Sequence, residues 1–157
     1  MPHRPLSRVL GRLPSGLFVL TARHGDQETG MLASWIMQAG FDPPMITVAV
    51  RQERYVADWL MSGAAFVVNV LSEQQKGLLK HFGRGFEPGE PAFEGLEIDR
   101  SSSGLPVLRH TIGYLECRPT SHLDSGDHRI FLAEITNGHF ANDHGPLVHI
   151  RKSGMHY

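Results

Sequence analysis

The sequence predicts a mostly β protein with flanking helices: an antiparallel barrel with helices packed on its outside. Three observations point there. Many short apolar, β-branched runs are separated by turn residues, only three stretches carry helical periodicity, and the strand-like runs come in blocks. A doubly wound parallel sheet would alternate strand and helix regularly, so blocks of strands disfavour it.

Pro5 to Leu13 sets Leu6, Val9, Leu10 and Leu13 at spacings of three and four, with Arg8 and Arg12 on another face, which predicts a short amphipathic helix. Pro14-Ser15-Gly16 breaks it. Leu17 to Ala22 then reads as a buried strand, closed by the turn composition His24-Gly25-Asp26. Gly30 to Met45 forms the next segment: an apolar run containing Ser34 and Gln38, a bend at Asp42-Pro43-Pro44, and a following strand over Ile46 to Val50. Three strands in succession favour a meander.

Arg54 to Met61 places Tyr55, Val56, Trp59 and Leu60 on one helical face, and Gly63 stops it. Ala65 to Leu71 is a strand. Ser72 with Gln75 three residues on has the form of a capping box for a helix whose apolar face is Leu78, Leu79 and Phe82 and whose end is Gly83. From Gly83 to Gly104 the chain is rich in Gly, Pro, Glu and Ser, and a loop that long in a compact domain tends to be functional or mobile. Strands over Ile112 to Leu123, Ile130 to His139 and Leu147 to Ile150 complete the order, with turns at Asp124 to Asp127 and Asn142 to Pro146.

The length of 157 residues favours one domain over 1–157, enough to bury roughly two thirds of the unfolded surface. Hydrophobic residues at 41% and charged residues at 20% are those of an ordinary soluble globular chain. A net charge of −1 with no long basic run argues against a nucleic-acid partner. No apolar run reaches the roughly 20 residues of a spanning helix, so no membrane partner is expected. One cysteine, Cys117, has no internal disulfide partner, and with no n-region plus h-region at the start no secretory leader is expected. A cytoplasmic location is expected.

The zinc-protease, nucleophile-elbow, Walker and G-x-G-x-x-G motifs are absent, and after Gly83-Arg84-Gly85 the third glycine is misplaced and no strand precedes it. His139, His144 and His149 recur at intervals of five, but residues five apart on a strand face opposite sides, so a structural or surface role is favoured over a metal site. His128 enters a strand directly after Ser125-Gly126-Asp127. It is either a turn histidine without a task or an imidazole leaning over a pocket mouth and oriented by Asp127. Lys80, His81 and Arg84 end a helix, where cations pair with the helix dipole; the alternative is an anion site to which Ser34 would add a hydroxyl. Ala33, Ser34, Gln38, Ala39 and Gly40 offer backbone N–H groups and short side chains to a ligand, which makes the Gly30 to Met45 bend a candidate cofactor cradle. Cys117 reads as a small buried hydrophobe.

Taken in order, several blocks form a recognisable series: Gly11-Arg12-Leu13-Pro14-Ser15-Gly16-Leu17, Met31-Leu32-Ala33-Ser34-Trp35, Gln38, Phe41 with Pro43-Pro44, and Ala49-Val50. Leu79-Lys80-His81-Phe82, Tyr114-Leu115-Glu116-Cys117, Asp127-His128 and Arg151-Lys152-Ser153-Gly154-Met155-His156-Tyr157 continue it. The series resembles the flavin reductase-like family, whose fold is the FMN-binding split barrel. Within it the likeness is greatest to the flavin reductase domain at the C-terminus of diflavin flavoproteins of the flavodiiron type. The resemblance implies a homodimer that binds FMN non-covalently, or FAD, near the subunit interface and reduces it with NADH or NADPH.

Carried onto this chain, the resemblance has Met31, Leu32, Ala33, Ser34 and Trp35 lining the flavin and its phosphate tail. Gln38 and the backbone of Ala49, Val50 and Arg51 face the isoalloxazine, and Lys80, His81, Phe82 and Arg84 close the phosphate end. His128 is the expected catalytic residue near the ring and the nicotinamide, with Tyr157 or His156 covering the pocket. Met155 stands where that domain often has Asn. The larger flavoproteins also carry a metallo-β-lactamase-like module and a flavodoxin module, neither of which lies in these 157 residues. The expected electron acceptor is then free flavin or a separate monooxygenase or oxidase. Two other readings stay open: an FMN-binding electron carrier without efficient NAD(P)H turnover, and a haem- or ligand-binding barrel that uses a histidine.

Overall fold

A computed structural model describes residues 4–157. Helix α1 (Arg4–Leu10) leads into β1 (Ser15–Gly16), β2 (Phe18–His24), β3 (Gln27–Ala33), β4 (Ile36–Phe41) and β5 (Pro44–Arg51). Then come α2 (Tyr55–Met61), β6 (Phe66–Val70), α3 (Lys76–Gly83), β7 (Ile98–Arg100), β8 (Pro106–Leu108), β9 (Gly113–Ser125), β10 (His128–Phe140) and β11 (Val148–His149). Among the described residues no helix is long and apolar enough to cross a membrane.

Seven strands form one antiparallel sheet in the order β3-β2-β6-β9-β10-β5-β4. The chain passes from one edge strand to the other through Ser34 and Trp35 alone. Three Cα steps of about 3.8 Å span at most about 11 Å, so the two edges must approach and the sheet must curl. β3 and β4 do not pair with each other, which leaves the barrel split along that seam. The β4–β5 ladder runs one residue past β4, where the Ala49 N–H donates to the Trp35 carbonyl at 3.0 Å. The expected meander is therefore corrected: the Gly30 run divides at Ser34-Trp35, so the β2–β3 and β4–β5 hairpins stand at opposite edges. The curl lets Met31 and Ile36, on different edge strands, enter one core.

Period-two alternation builds that core. Ile46, Val48 and Val50 of β5 point inward while Thr47, Ala49 and Arg51 point outward. Leu20, Phe66 and Phe131 join them, and Val56, Trp59 and Leu60 of α2 cover one side, as the helical spacing predicts. Each such burial contributes about 1.5–3 kcal/mol relative to exposure. On the other side α3 packs on β3: Phe82 is 2% exposed and sits in a second apolar cluster with Val19, Leu71, Phe86 and Leu147.

Three local expectations are refined. Helix α1 ends at Leu10 rather than Leu13, because Gly11 packs on the chain near the other terminus: its carbonyl accepts from Arg151 N–H at 2.9 Å, and a Cβ there would lie 2.5 Å from the Arg151 oxygen. Ser72 and Gln75 do exchange bonds, with Gln75 Oε1 accepting from Ser72 N–H at 3.1 Å, but in a turn ahead of α3, which begins at Lys76. The 83–104 stretch contains β7, which pairs with β8. Buried Glu116 fastens the β7–β8 turn to the sheet by accepting from the Ser101 and Ser102 hydroxyls at 2.6 and 2.9 Å.

Candidate functional site

A cavity of about 1050 Å³ opens where β3 gives way to β4, against the outward side of β5. That volume is at the upper end of the roughly 300–1,000 Å³ range of small-molecule sites. Small side chains at Ala33, Ser34 and Ala49 keep the backbone accessible along one wall, while Phe82 and Phe86 supply an apolar wall opposite. Arg51, Arg54 and Arg84 bring positive charge, and His149, His156 and Tyr157 stand at the rim.

The three guanidinium groups are not equivalent. Arg51 pairs with Glu53 at 3.5 Å, and Arg84 pairs with Glu90 at 3.3 Å while lying 4.1 Å over the Phe86 ring. Glu90 is in turn held below the usual carboxylate range, first by the Glu87 backbone N–H and then by Arg84. Arg54 forms no ion pair with a described residue, so it is the lining arginine whose charge is uncommitted. Arg54 is not among the site residues expected from the sequence. A cation directly after a cavity-lining strand and at the start of a helix was the available signal.

Tyr55 joins the cavity wall to the 84–90 loop. Its hydroxyl donates to the Phe86 carbonyl at 2.6 Å, and its oxygen is 2.7 Å from the Thr29 hydroxyl, which completes the chain as donor. Burial raises the phenol above its ordinary pKa, so it remains a donor at neutral pH.

The second feature is a corner built from distant parts of the chain. Strand pairing sets His128 of β10 opposite Arg51 of β5, and the tight turn at Gly126 (φ 60°) starts β10 at that point. His128 is 7% exposed. Its Nδ1 lies 2.6 Å from an Asp127 oxygen, and its Nε2 is bonded to the Tyr157 hydroxyl. The hydrogen bond from His128 is the main cause that holds Asp127 below the ordinary aspartate range; an ionised carboxylate only accepts, so Nδ1 carries the proton in the neutral ring. Burial raises the Tyr157 phenol above its ordinary pKa, so its O–H donates to the bare Nε2. The tautomer is thereby fixed. Trp35 completes the corner, its ring 4.7 Å from His128 and 5.3 Å from Tyr157, with the Arg151 guanidinium 5.4 Å from the Trp35 centroid.

His128 lines a smaller adjoining cavity of about 200 Å³, and Trp35, Arg51, His156 and Tyr157 line both. Of the sequence-predicted residues, Met31, Leu32, Ala33, Ser34, Trp35, Ala49, Val50, Arg51, Phe82, Arg84 and Tyr157 line the larger cavity. Gln38, Lys80 and His81 do not. Gln38 is exposed on edge strand β4, with Nε2 3.4 Å from the Gly40 carbonyl. Lys80 is exposed, and His81 is tied to the Ala92 carbonyl at 2.7 Å, because helical spacing turns Phe82 rather than its neighbours toward β3. His149, expected to be structural or at the surface, lines the cavity.

A family model described as "Flavin reductase like domain" matches residues 10–156. Diflavin flavoprotein A 1 of Synechocystis sp. is 40% identical over 154 residues, which are 97% of this chain and 27% of that protein. The chain thus spans about a quarter of the length of such relatives. Among solved structures, the NADH:FAD oxidoreductase SgcE6 of Streptomyces globisporus is 25% identical with a TM-score of 0.80, over 91% of this chain and 80% of that one. BorF, the flavin reductase component of a bacterial two-component tryptophan halogenase, is 26% identical with a TM-score of 0.82, over 93% and 92%. With the family model running through nearly its whole length, this chain belongs to the flavin reductase-like family, on an antiparallel split-barrel fold.

Proposed function

We propose that residues 1–157 form one domain that works as an NAD(P)H-dependent flavin reductase, binding FMN in the larger cavity and passing electrons to free flavin or a partner redox protein. One observation carries this reading: a cavity with accessible backbone along one wall, an uncommitted arginine at its rim, and an aromatic corner with a fixed-tautomer histidine beside it. Those features suit a planar ring with an anionic tail. SgcE6, a relative by fold and sequence, is named an NADH:FAD oxidoreductase, which supports the nicotinamide and leaves FAD as the alternative flavin.

In this reading the short side chains of Ala33, Ser34 and Ala49 let the ring lie close against the backbone of that wall. Arg54, with Arg84 beside it, meets the phosphate by charge-assisted hydrogen bonds. Trp35 and Arg51 bound the ring's end, and His128 offers a defined acceptor. The bound flavin supplies the hydride chemistry, and the protein's part is to align two rings and keep water out.

The outward surface continues apolar from Ala49 through its register partners Ile130 and Leu123, and Met37 lies beside Thr47 in the next row. Leu123 and Met37 are 66% and 65% exposed. A second copy of the chain covers this surface in the proposed homodimer, which sedimentation or light scattering tests. The proposed compartment is the cytoplasm, where the buried thiol of Cys117 stays reduced. The likeness to BorF, one component of a two-component system, supports a separate acceptor such as a monooxygenase or oxidase. Titration with FMN and FAD, followed by NADH and NADPH oxidation assays, tests the reading. Tight flavin binding without nucleotide oxidation would favour the electron-carrier alternative.

A further inference from the structure

The segment 151–157 is held by two kinds of contact, backbone in its near part and side chain in its far part. Its near part is built into the fold through backbone: Arg151 N–H donates to the Gly11 carbonyl at 2.9 Å and Gly154 N–H to the Ser7 carbonyl at 2.7 Å. Packing there is close, since a Cβ on Gly154 would stand 2.1 Å from the Leu10 Cβ. The far part, ending at Tyr157, is held by side chains. The Tyr157 hydroxyl bonds to His128 Nε2, its ring leans on Trp35, and the Arg51 guanidinium lies 5.5 Å from its centroid. Tyr157 is nevertheless 51% exposed, and it forms part of the wall shared by the two cavities.

We propose that Tyr157 is a gate: its ring occupies the slot bounded by Trp35, His128 and Arg51, and a nicotinamide ring must displace it to reach the larger cavity. The chemistry of the slot fits both occupants. With Tyr157 in place, His128 Nε2 accepts a phenol O–H. With Tyr157 displaced, the same nitrogen, whose tautomer Asp127 fixes, accepts an amide N–H of the kind a nicotinamide carboxamide presents. Trp35 offers its face to either ring. The anchored part, 151–154, acts as the hinge post, and the three residues beyond it swing.

The closed gate lowers apparent nucleotide affinity by the fraction of molecules that are open, so loosening the gate should tighten binding. This inference rests on the proposed reductase reading. The test is calorimetric titration of NAD⁺ and NADP⁺ into FMN-loaded wild type, Tyr157→Phe and Tyr157→Ala, together with hydrogen exchange of the 151–157 peptide. Tyr157→Phe keeps the ring and removes the hydroxyl, so its affinity should rise about threefold; Tyr157→Ala removes both and should gain about fivefold or more. Saturating nucleotide should speed exchange in the wild-type 151–157 peptide. Equal or weaker nucleotide binding in both variants, or slower exchange on adding nucleotide, would overturn the gate and make Tyr157 a fixed binding wall. If FMN binds but no form of the protein binds either nucleotide, the reductase reading fails, and the gate falls with it.

Discussion

The Phe82 ring lies against the bare backbone of Gly30, with its nearest carbon 2.5 Å from the position a Cβ would take. Phe82 lines the cavity from α3 and Gly30 lines it from β3, so this contact sets how far apart two of its walls stand.

Gly30→Ala should therefore push α3 away from the sheet. Overpacking of this kind costs about 1–3 kcal/mol. Urea denaturation should show a lower midpoint, and FMN affinity should fall with it. A midpoint equal to wild type would mean that α3 shifts freely and that the contact does not set the cavity width.

Arg54 and Lys80 make a paired test of the phosphate end. Arg54 lines the cavity without an ion pair to a described residue, whereas Lys80 is exposed outside it. Arg54→Gln should weaken FMN binding about tenfold, the order expected for one charge-assisted contact, and leave riboflavin, which lacks the phosphate, nearly unaffected. Lys80→Gln should leave both within about twofold. The reverse pattern in flavin fluorescence titrations would return the phosphate to the α3 terminus.

His128→Ala removes the acceptor at the Trp35 corner but no side chain of the larger cavity's lining. Turnover of NAD(P)H should drop about tenfold or more, while the FMN dissociation constant changes by less than about threefold. Asp127→Asn should give a milder loss, because an amide can hold the ring but no longer dictates which nitrogen carries the proton. Equal losses of turnover and flavin affinity in His128→Ala would make His128 a flavin ligand instead.

Cys117 gives a pH test of the core. Burial first, and the charge of Glu116 second, push its thiol from 9.0 up to about 12. The raised value means that the contribution is complete below pH 9, where the thiol is neutral in both states. It is lost as pH rises toward 12, because the unfolded chain ionises first. The slope should approach about 1.4 kcal/mol per pH unit for this one group. Urea midpoints of wild type should fall relative to Cys117→Ala between pH 9 and 11, and parallel curves would contradict the burial argument.

Much of the barrel was legible because its signals are local. The β-branched run Ile46 to Val50 and the Arg54 to Met61 face report burial directly, and both elements occur where their periodicity places them. The break at Ser34-Trp35 was not legible, since an apolar run reads as one strand until sheet closure forces it apart. β7 was missed because three residues in a Gly- and Pro-rich stretch carry no period. At the site, Met31 to Trp35 and Phe82 could be named from sequence through family likeness. Arg54 offered only its place between a strand and a helix, since its distinction, having no ion pair with a described residue, arises in the fold, and His149 reaches the cavity through the pairing of β11 with β1.

The central claim is that the cavity between Ser34, Ala49, Arg54 and Phe82 holds a flavin. Titrating FMN against wild type and Ser34→Ala, with bound flavin read by fluorescence quenching, tests it most directly. Saturable one-to-one binding in wild type and several-fold weaker binding in Ser34→Ala is the predicted result. No saturable binding of FMN or FAD to wild type, or identical affinity in the two proteins, would contradict it.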